Sequence, residues 1–217
     1  MYKKRNTIGK FWPVAKKGTK YVAAASHNQK DSIPLLVVMR DILKLVENKK
    51  ELKGALNNKQ ITINHKEIRD TNYPVHLLDV VSIPRIKKNY KATLSPLKKM
   101  IFDEVSEKES ERKPYKVIGK KILSKNIVQV NLMQGENVIM DKKSEIGDSV
   151  ILNLKTREIV KIIPMKKGEN VFVVKGKYSG KKGKIEEIID EGNKKIAKIN
   201  YDGDKINVWV RNILVTE

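Results

Sequence analysis

Apolar positions along the chain change period twice. From Leu35, the residues Leu35, Leu36, Val38, Met39, Ile42, Leu43 and Leu45 cover one broad side at roughly 100° per residue, leaving Arg40, Asp41 and Lys44 in a polar sector into which Val37 intrudes. This pattern predicts a helix running to about Leu45. Asp31 or Ser32 can cap it, and Pro34 is tolerated in its opening turn, where the missing N–H would be unpaired anyway. Asn48 followed by Glu51 has the spacing of a capping box and predicts a second helix. Its Leu52, Ala55 and Leu56 face inward while Lys50 and Lys53 point away and Lys49 lies at the border, so two short helices present basic residues together.

After Asn57 and Asn58 the period becomes two. Ile61 and Ile63 alternate with Thr62, Asn64 and His65 make a hairpin turn before Ile68, and Asp79 to Ile83 form a strand that Pro84 stops. From Tyr115 onward strand signals recur over 127–132, 137–140, 150–154, 159–163, 171–174, 185–189, 197–201 and 206–210, with Asp202-Gly203 as one hairpin turn. Many short strands punctuated by Gly and Asp-Gly turns predict barrels or sandwiches. The expected fold class is α+β and multidomain, a small helix–helix–hairpin module followed by mostly β domains.

Composition sharpens this picture. The 217 residues exceed the usual domain length, and 40% are hydrophobic, enough for real cores in two or three small domains. The complete lack of Cys excludes a disulfide framework, a thiolate nucleophile and any Cys-ligated zinc or iron–sulfur site, and fits a reducing compartment. The longest apolar run, Ile33 to Met39, is far shorter than the roughly 20 residues of a membrane helix. Lys3, Lys4 and Arg5 are followed by Lys10, Lys16 and Lys17 rather than by an apolar stretch, so no secretory signal is expected and the location expected is cytoplasmic.

Lys and Arg number 46 against 25 Asp and Glu, a formal net charge of +21. A field of that sign attracts polyanions, and nucleic acid is the commonest in a cell; an anionic membrane surface is the bland alternative. The charge is clustered. Residues 1–30 carry Lys3, Lys4, Arg5, Lys10, Lys16, Lys17, Lys20 and Lys30 with no acid before Asp31. With little apolar periodicity, this arm is expected to need a partner to order it. A second acid-free stretch holds Arg85, Lys87, Lys88, Lys91, Lys98 and Lys99, and a third holds Lys175, Lys177, Lys181, Lys182 and Lys184. Asp103, Glu104, Glu107, Glu109 and Glu111 form an acidic island read as a solvated helix or linker. Trp12 beside Pro13 suits either stacking on a base or docking against its own domain, and Trp209, in an alternating strand, is expected in the core.

Catalytic signals are weak. His27, His65 and His76 are scattered, no two at metal-ligand spacing, and no Ser/His/Asp constellation or nucleotide-binding fingerprint is present. No enzyme activity, cofactor, metal or small-molecule substrate is expected.

The sharpest local signal runs from Val173 to Ile185, a strand entering a basic loop with Gly176, Gly180 and Gly183. Gly176 and Gly183 are expected at positive φ and Gly180 at a close backbone approach to a ligand, while Lys177, Tyr178, Lys181 and Lys182 offer phosphate contacts and a stacking face. The spacing Gly-x-x-x-Gly-x-x-Gly-x-Ile resembles the KOW motif of ribosomal proteins and transcription elongation factors, which sits on SH3-like barrels; the plain alternative is a generic Gly-rich hairpin.

Residues 33–83 resemble the small RNA-binding domain named after bacterial ribosomal protein S-four, through the two-helix charge pattern, Asn58 to Asn64, and Asp79 to Ile83. The order Phe11-Trp12-Pro13-Val14, Lys16 to Val22, Ser32 to Leu36, Arg40 to Leu45 and Tyr73 to Val80 is similar to the S-four-e family of small-subunit ribosomal proteins of archaea and eukaryotes, whose members end in a KOW-bearing barrel. His65 and His76 stand where that family usually has glycine, which puts the hairpin geometry in question. The segment before Trp12 and the loop between Val22 and Ser32 look shortened.

The resemblance implies a basic extension (1–30), an S-four-type domain (31–95), a central β-rich domain (96–165) and a KOW SH3-like barrel (166–217). It implies a non-catalytic constituent of the small ribosomal subunit, with small-subunit ribosomal RNA and neighbouring ribosomal proteins as partners and the ribosome as location. Arg40, Lys44, Lys49, Lys50, Lys53 and Lys59 would face the RNA backbone, and the arm around Trp12 would thread into RNA crevices. Two rivals remain at this point: an RNA-modifying enzyme carrying an S-four-type module, and a transcription factor using the KOW barrel.

Overall fold

The predicted first helix forms but is short and widened. In the computed structural model, which describes residues 2–124, 127–140, 144–192, 194–201 and 203–216, Pro34 ends one strand and is the N-cap of α1 (Leu35–Val37), which continues as a π-helical turn, Val38–Ile42. The Leu43 N–H reaches the Val38 carbonyl at 2.9 Å, five residues back. Lys44, left-handed at φ 54°, stops the helix earlier than expected. Residues Leu35 to Met39 are all buried, so Val37 meets no polar sector there; the helix is enclosed all round. In α2 (Lys49–Asn57) the expected cap is present, Asn48 Oδ1 accepting the Glu51 N–H at 2.9 Å. Glu51 Oε2 accepts from the N–H of Glu47 at 2.8 Å, one residue before the usual reciprocal donor.

The chain divides into two units, Met1–Glu111 and Arg112–Glu217. In the first, the arm is not loose, contrary to expectation. β1 (Tyr2–Lys4) pairs antiparallel with β2 (Tyr21–Ala23), Tyr2 opposite Ala23 and Lys4 opposite Tyr21. The Arg5 guanidinium ties the intervening loop, donating from Nε to Thr19 O and from Nη1 to Ala15 O, both at 2.7 Å, and from Nη2 to Thr19 Oγ1 at 2.9 Å. Lys99 Nζ donates to the carbonyls of Lys10 and Trp12 at 2.6 and 3.0 Å, and the Met100 N–H donates to Phe11 O at 2.8 Å. Trp12 is 3% exposed. Backbone pairing, a guanidinium with three internal acceptors and one buried indole help to offset the ordering entropy.

β3 (Ser32–Pro34) pairs with β6 (Pro74–His76). The remaining strands, β4 (Thr62–Ile63), β5 (Lys66–Glu67), β7 (Val80–Ile83), β8 (Lys88–Leu94) and β9 (Met100–Val105), form one antiparallel sheet in the order β5-β4-β7-β8-β9. The β4–β5 turn has Asn64 and His65 at φ 51° and 59°, the two positive values a type I′ hairpin demands. Asp79, 2% exposed, locks it from behind: its Oδ1 accepts from Asn64 Nδ2 at 2.8 Å and its Oδ2 from the His76 N–H at 2.6 Å, while Asn64 Oδ1 accepts from the Val80 N–H at 2.9 Å.

The β8–β9 hairpin replaces the expected basic stretch and acidic linker. Lys91 lies opposite Asp103, Lys88 pairs with Glu104 at 3.0 Å, and Thr93 Oγ1 donates to Asp103 at 2.5 Å, so cross-strand charge pairs hold what read as two separate charge runs. Only Glu107–Ser110 (α3) is helical, capped by Ser106. The expected boundary at residue 95 falls inside this hairpin.

In the second unit, β10 (Arg112–Ser124), β11 (Ile127–Leu132), β12 (Asn137–Met140), β13 (Ser149–Asn153) and β14 (Ile159–Ile163) form a sheet in the order β12-β11-β10-β13-β14 around Tyr115, Val117, Val130, Leu132, Met140, Val150 and Leu152. β15 (Asn170–Val173), β16 (Lys182–Glu191), β17 (Lys194–Tyr201), β18 (Asp204–Trp209) and β19 (Ile213–Val215) form another, β18-β17-β16-β15-β19, and all five strands contribute to one apolar cluster. Asp202 of the expected Asp-Gly turn lies outside the described residues; Gly203 has φ 91°.

Trp209 is 48% exposed rather than in the core. Strand alternation sends Ile206 and Val208 inward and therefore Trp209 outward. The fold as a whole is mostly β with few helices, and among the described residues no helix is long and apolar enough to cross a membrane.

Candidate nucleic-acid interface

The basic residues gather on three surfaces. On α2, Lys49, Lys50 and Lys53 are exposed while Leu52 and Leu56 are buried, so a nine-residue helix holds a lysine face on a rigid core. Lys44 is exposed on the turn before it. Arg40 is committed to its neighbour, donating from Nε and Nη2 to the two oxygens of Asp41 at 2.8 Å each, which raises its already high pKa through the shared hydrogen bonds. Lys59 pairs with Glu67 at 2.9 Å across an exposed surface, a contact worth little against a phosphate.

The arm supplies Lys4, Lys10, Lys16, Lys17 and Lys20, all exposed, and Lys3, half-buried. Arg5 and Trp12 serve the arm's own structure: the guanidinium is spent on three internal acceptors and the indole is withdrawn from any stacking face. Of the second basic stretch, Arg85 and Lys87 are exposed on a 3₁₀ turn, Lys91 is half-buried in β8, and the Lys88 ammonium is held by Glu104, which raises its pKa.

The third surface is the loop from β15 into β16. Lys177 and Lys181 lie 5.5 and 5.6 Å from the Tyr178 ring centroid, and Lys181 also lies 3.9 Å from that of Tyr201. Tyr178 and Tyr201 pack on the apolar cluster beneath, and Lys182 is exposed. Cations over half-buried rings give the flexible lysine stems defined positions. Tyr201 was not singled out in the sequence; only the register Lys184 opposite Asn200 brings it to this loop.

Gly176 has the positive φ expected of it, while Gly180 and Gly183 exchange their expected roles. Gly176 and Gly180 have positive φ, 101° and 90°, whereas Gly183 does not. A Cβ on Gly183 would collide with the carbonyl of Asn200 and stand 2.6 Å from Ile199 Cγ2, so it is Gly183 that permits close approach, to the neighbouring strand.

Among the described residues no group of three His, Asp or Glu could hold a metal ion. The three surfaces therefore offer ammonium groups, rings and backbone, the chemistry of phosphate and base contact.

Comparison with known proteins accords with this. The family described as Ribosomal family S4e matches residues 86–159, and the KOW motif matches residues 167–208. The chain is 34% identical to the small ribosomal subunit protein eS4 of Methanosphaera stadtmanae over 85% of this chain and 78% of that protein, and 27% identical to that of Nanoarchaeum equitans over 95% and 91%. The crystal structure of the 30S ribosomal protein S4e from Thermoplasma acidophilum shares the fold, with a TM-score of 0.72 at 23% identity over 85% of this chain and 94% of that one. The chain belongs to the ribosomal S4e family.

Proposed function

We propose that the chain is a non-catalytic structural constituent of the small ribosomal subunit, located on cytoplasmic ribosomes, which binds ribosomal RNA and meets neighbouring ribosomal proteins in support of translation. The observation that carries the reading is the exposed lysine face of α2, Lys49, Lys50 and Lys53, on a chain of net charge +21 in the S4e family. α1, α2 and the β4–β5 hairpin act as an S-four-type RNA-binding module within the first unit, and β10–β14 of the second unit act as the central β domain that follows. Residues 166–217 act as a KOW barrel of SH3-like form that presents Lys177, Tyr178, Lys181 and Lys182.

Lysines outnumber arginines heavily, which suits positioning on phosphates more than reading of base edges. The arm's lysines and Arg85, Lys87 and Lys88 add to the phosphate contacts, while Arg5 and Trp12 shape the arm rather than touch RNA.

The test is sedimentation. A tagged chain expressed at native level travels with small subunits at modest salt and is found by mass in purified subunits. Its absence there, or its travel with RNA polymerase, overturns the reading.

A further inference from the structure

The first unit contains a groove of about 580 Å³ that adjoins the lysine face of α2 at Lys49, within the roughly 300–1,000 Å³ range of ligand clefts. It is lined by the apolar side chains of Val14 and Leu36, the rings of Tyr2 and Tyr21, and the charged pair Arg40–Asp41, with Lys49 also at its edge. Tyr2 and Tyr21 project from the same face of the β1–β2 hairpin, because Lys4 lies opposite Tyr21 and Tyr2 is two residues from Lys4. Both rings are open to solvent, 74% and 51% exposed, although they border a concavity. Lys20 Nζ stands 5.5 Å from the Tyr21 ring centroid. The Arg5 hydrogen bonds to Ala15 and Thr19 fix the loop beside them.

We propose that this groove receives an unstacked base of single-stranded RNA against Tyr2 and Tyr21, with its flanking phosphates towards Lys20 and Lys49. Aromatic faces stack on any base, and a base inside a duplex presents no free face, so the ligand is single-stranded. Asp41 repels phosphate, which keeps the charged backbone at the rim; the base is neutral and can approach. The Arg40–Asp41 pair leaves lone pairs and N–H groups for a base edge, at no net charge. The proposal deepens the RNA-binding reading above and rests on it. It also supplies the stacking role that the buried Trp12 cannot perform.

The full chain is titrated by fluorescence anisotropy with a labelled single-stranded RNA of about ten nucleotides, chosen as a short flexible probe, and with a strand of equal length whose central bases are removed to leave ribose and phosphate. The intact strand is expected to bind about five- to tenfold tighter. In the Tyr2→Ala/Tyr21→Ala variant the preference for the intact strand is expected to fall by at least half while the salt dependence stays that of the wild type, any remainder belonging to Tyr178, and Tyr2→Phe/Tyr21→Phe keeps the preference; these exposed positions leave the fold intact. Equal, salt-dependent binding of both strands by the wild type overturns the groove and leaves the RNA-binding reading standing, as does a preference that the alanine pair leaves unchanged. Failure to bind either strand at low salt overturns both.

Discussion

The ammonium of Lys116 on β10 donates to the carbonyl oxygen of Ile213 at 2.7 Å, joining residues 97 apart in the sequence, and also donates to the carbonyl of Val210. The side chain is 6% exposed. Burial, helped by the positive charge of Arg211, pushes its pKa down from 10.5 to about 8. The carbonyls favour the ammonium, but not enough to repay its desolvation.

The sign of the pH dependence follows. Below about 8 the group is protonated in folded and unfolded chains alike, and the full penalty applies; between about 8 and 10.5 the folded chain has released a proton that the unfolded chain still holds. Stability contributed at this site therefore rises with pH across that window, by roughly 3 kcal/mol at most. Urea unfolding followed from pH 7 to 10.5, a range taken about the cited values, is expected to show a smaller rise in Lys116→Met than in the wild type. Parallel curves would remove Lys116 as the titrating group.

Gly183 makes a second prediction. Because an added Cβ meets backbone, the Asn200 carbonyl, rather than the end of a flexible side chain, the β16–β17 pairing must shift to accept Gly183→Ala. The cost is expected to be about 1–3 kcal/mol, a fall in Tm of several degrees. Gly54→Ala, at an exposed helical position with open space around it, is the control and is expected to stabilise by up to about 1 kcal/mol. Thermal melts of the two variants decide between them.

What could be read from the sequence follows the range of the forces involved. The Asn48 cap, β11, β12 and β14 were legible because capping and strand alternation act over a few residues. The β8–β9 hairpin was hidden because its strands pair across the sequence, setting Lys88 beside Glu104 and Lys91 opposite Asp103, whereas a linear reading separates them into a basic run and an acidic one. The ordered arm was hidden for the same reason: Arg5 finds its acceptors at Ala15 and Thr19, and Lys99 finds its own at Lys10 and Trp12. At the candidate interface the lysines of α2 were legible from helical periodicity, whereas Tyr2, Tyr21 and Tyr201 were not, since only strand pairing brings them to a groove or to a loop. Trp209 was misplaced although the inward run Ile206, Val208 already carried the parity that turns it outward.

The buried carboxylate of Asp79 predicts a large effect on stability. Asp79→Ala strands the Asn64 amide and the His76 N–H, and is expected to cost roughly 3 kcal/mol. Asn28 bears on the same network: its amide nitrogen lies 2.9 Å from His76 Nε2, and His76 Nδ1 lies 3.4 Å from Asp79 Oδ2. In contrast, His65→Gly relieves a left-handed residue at φ 59° and removes a ring nitrogen that is buried without a hydrogen bond. It is expected to raise stability by about 0.5–1 kcal/mol. Chemical denaturation of both variants checks the pair, and a destabilised His65→Gly would show that ring packing outweighs backbone strain.

The lysine face of α2 predicts how RNA binding depends on salt. Lys50 and Lys53 are exposed, so Lys50→Glu/Lys53→Glu should leave the melting temperature nearly unchanged. Each phosphate contact releases condensed counterions and contributes about 0.7–0.9 to the slope of log affinity against log salt. Loss of two contacts is therefore expected to lower the slope by roughly 1.4–1.8 and to weaken binding most at low salt, where counterion release is worth most. Filter binding of small-subunit RNA fragments across a salt series measures both quantities together. An unchanged slope with the affinity intact would take these lysines out of the interface, whereas a loss of affinity at constant slope would mean that the substitutions act through the fold rather than through charge, since any electrostatic effect is screened by salt.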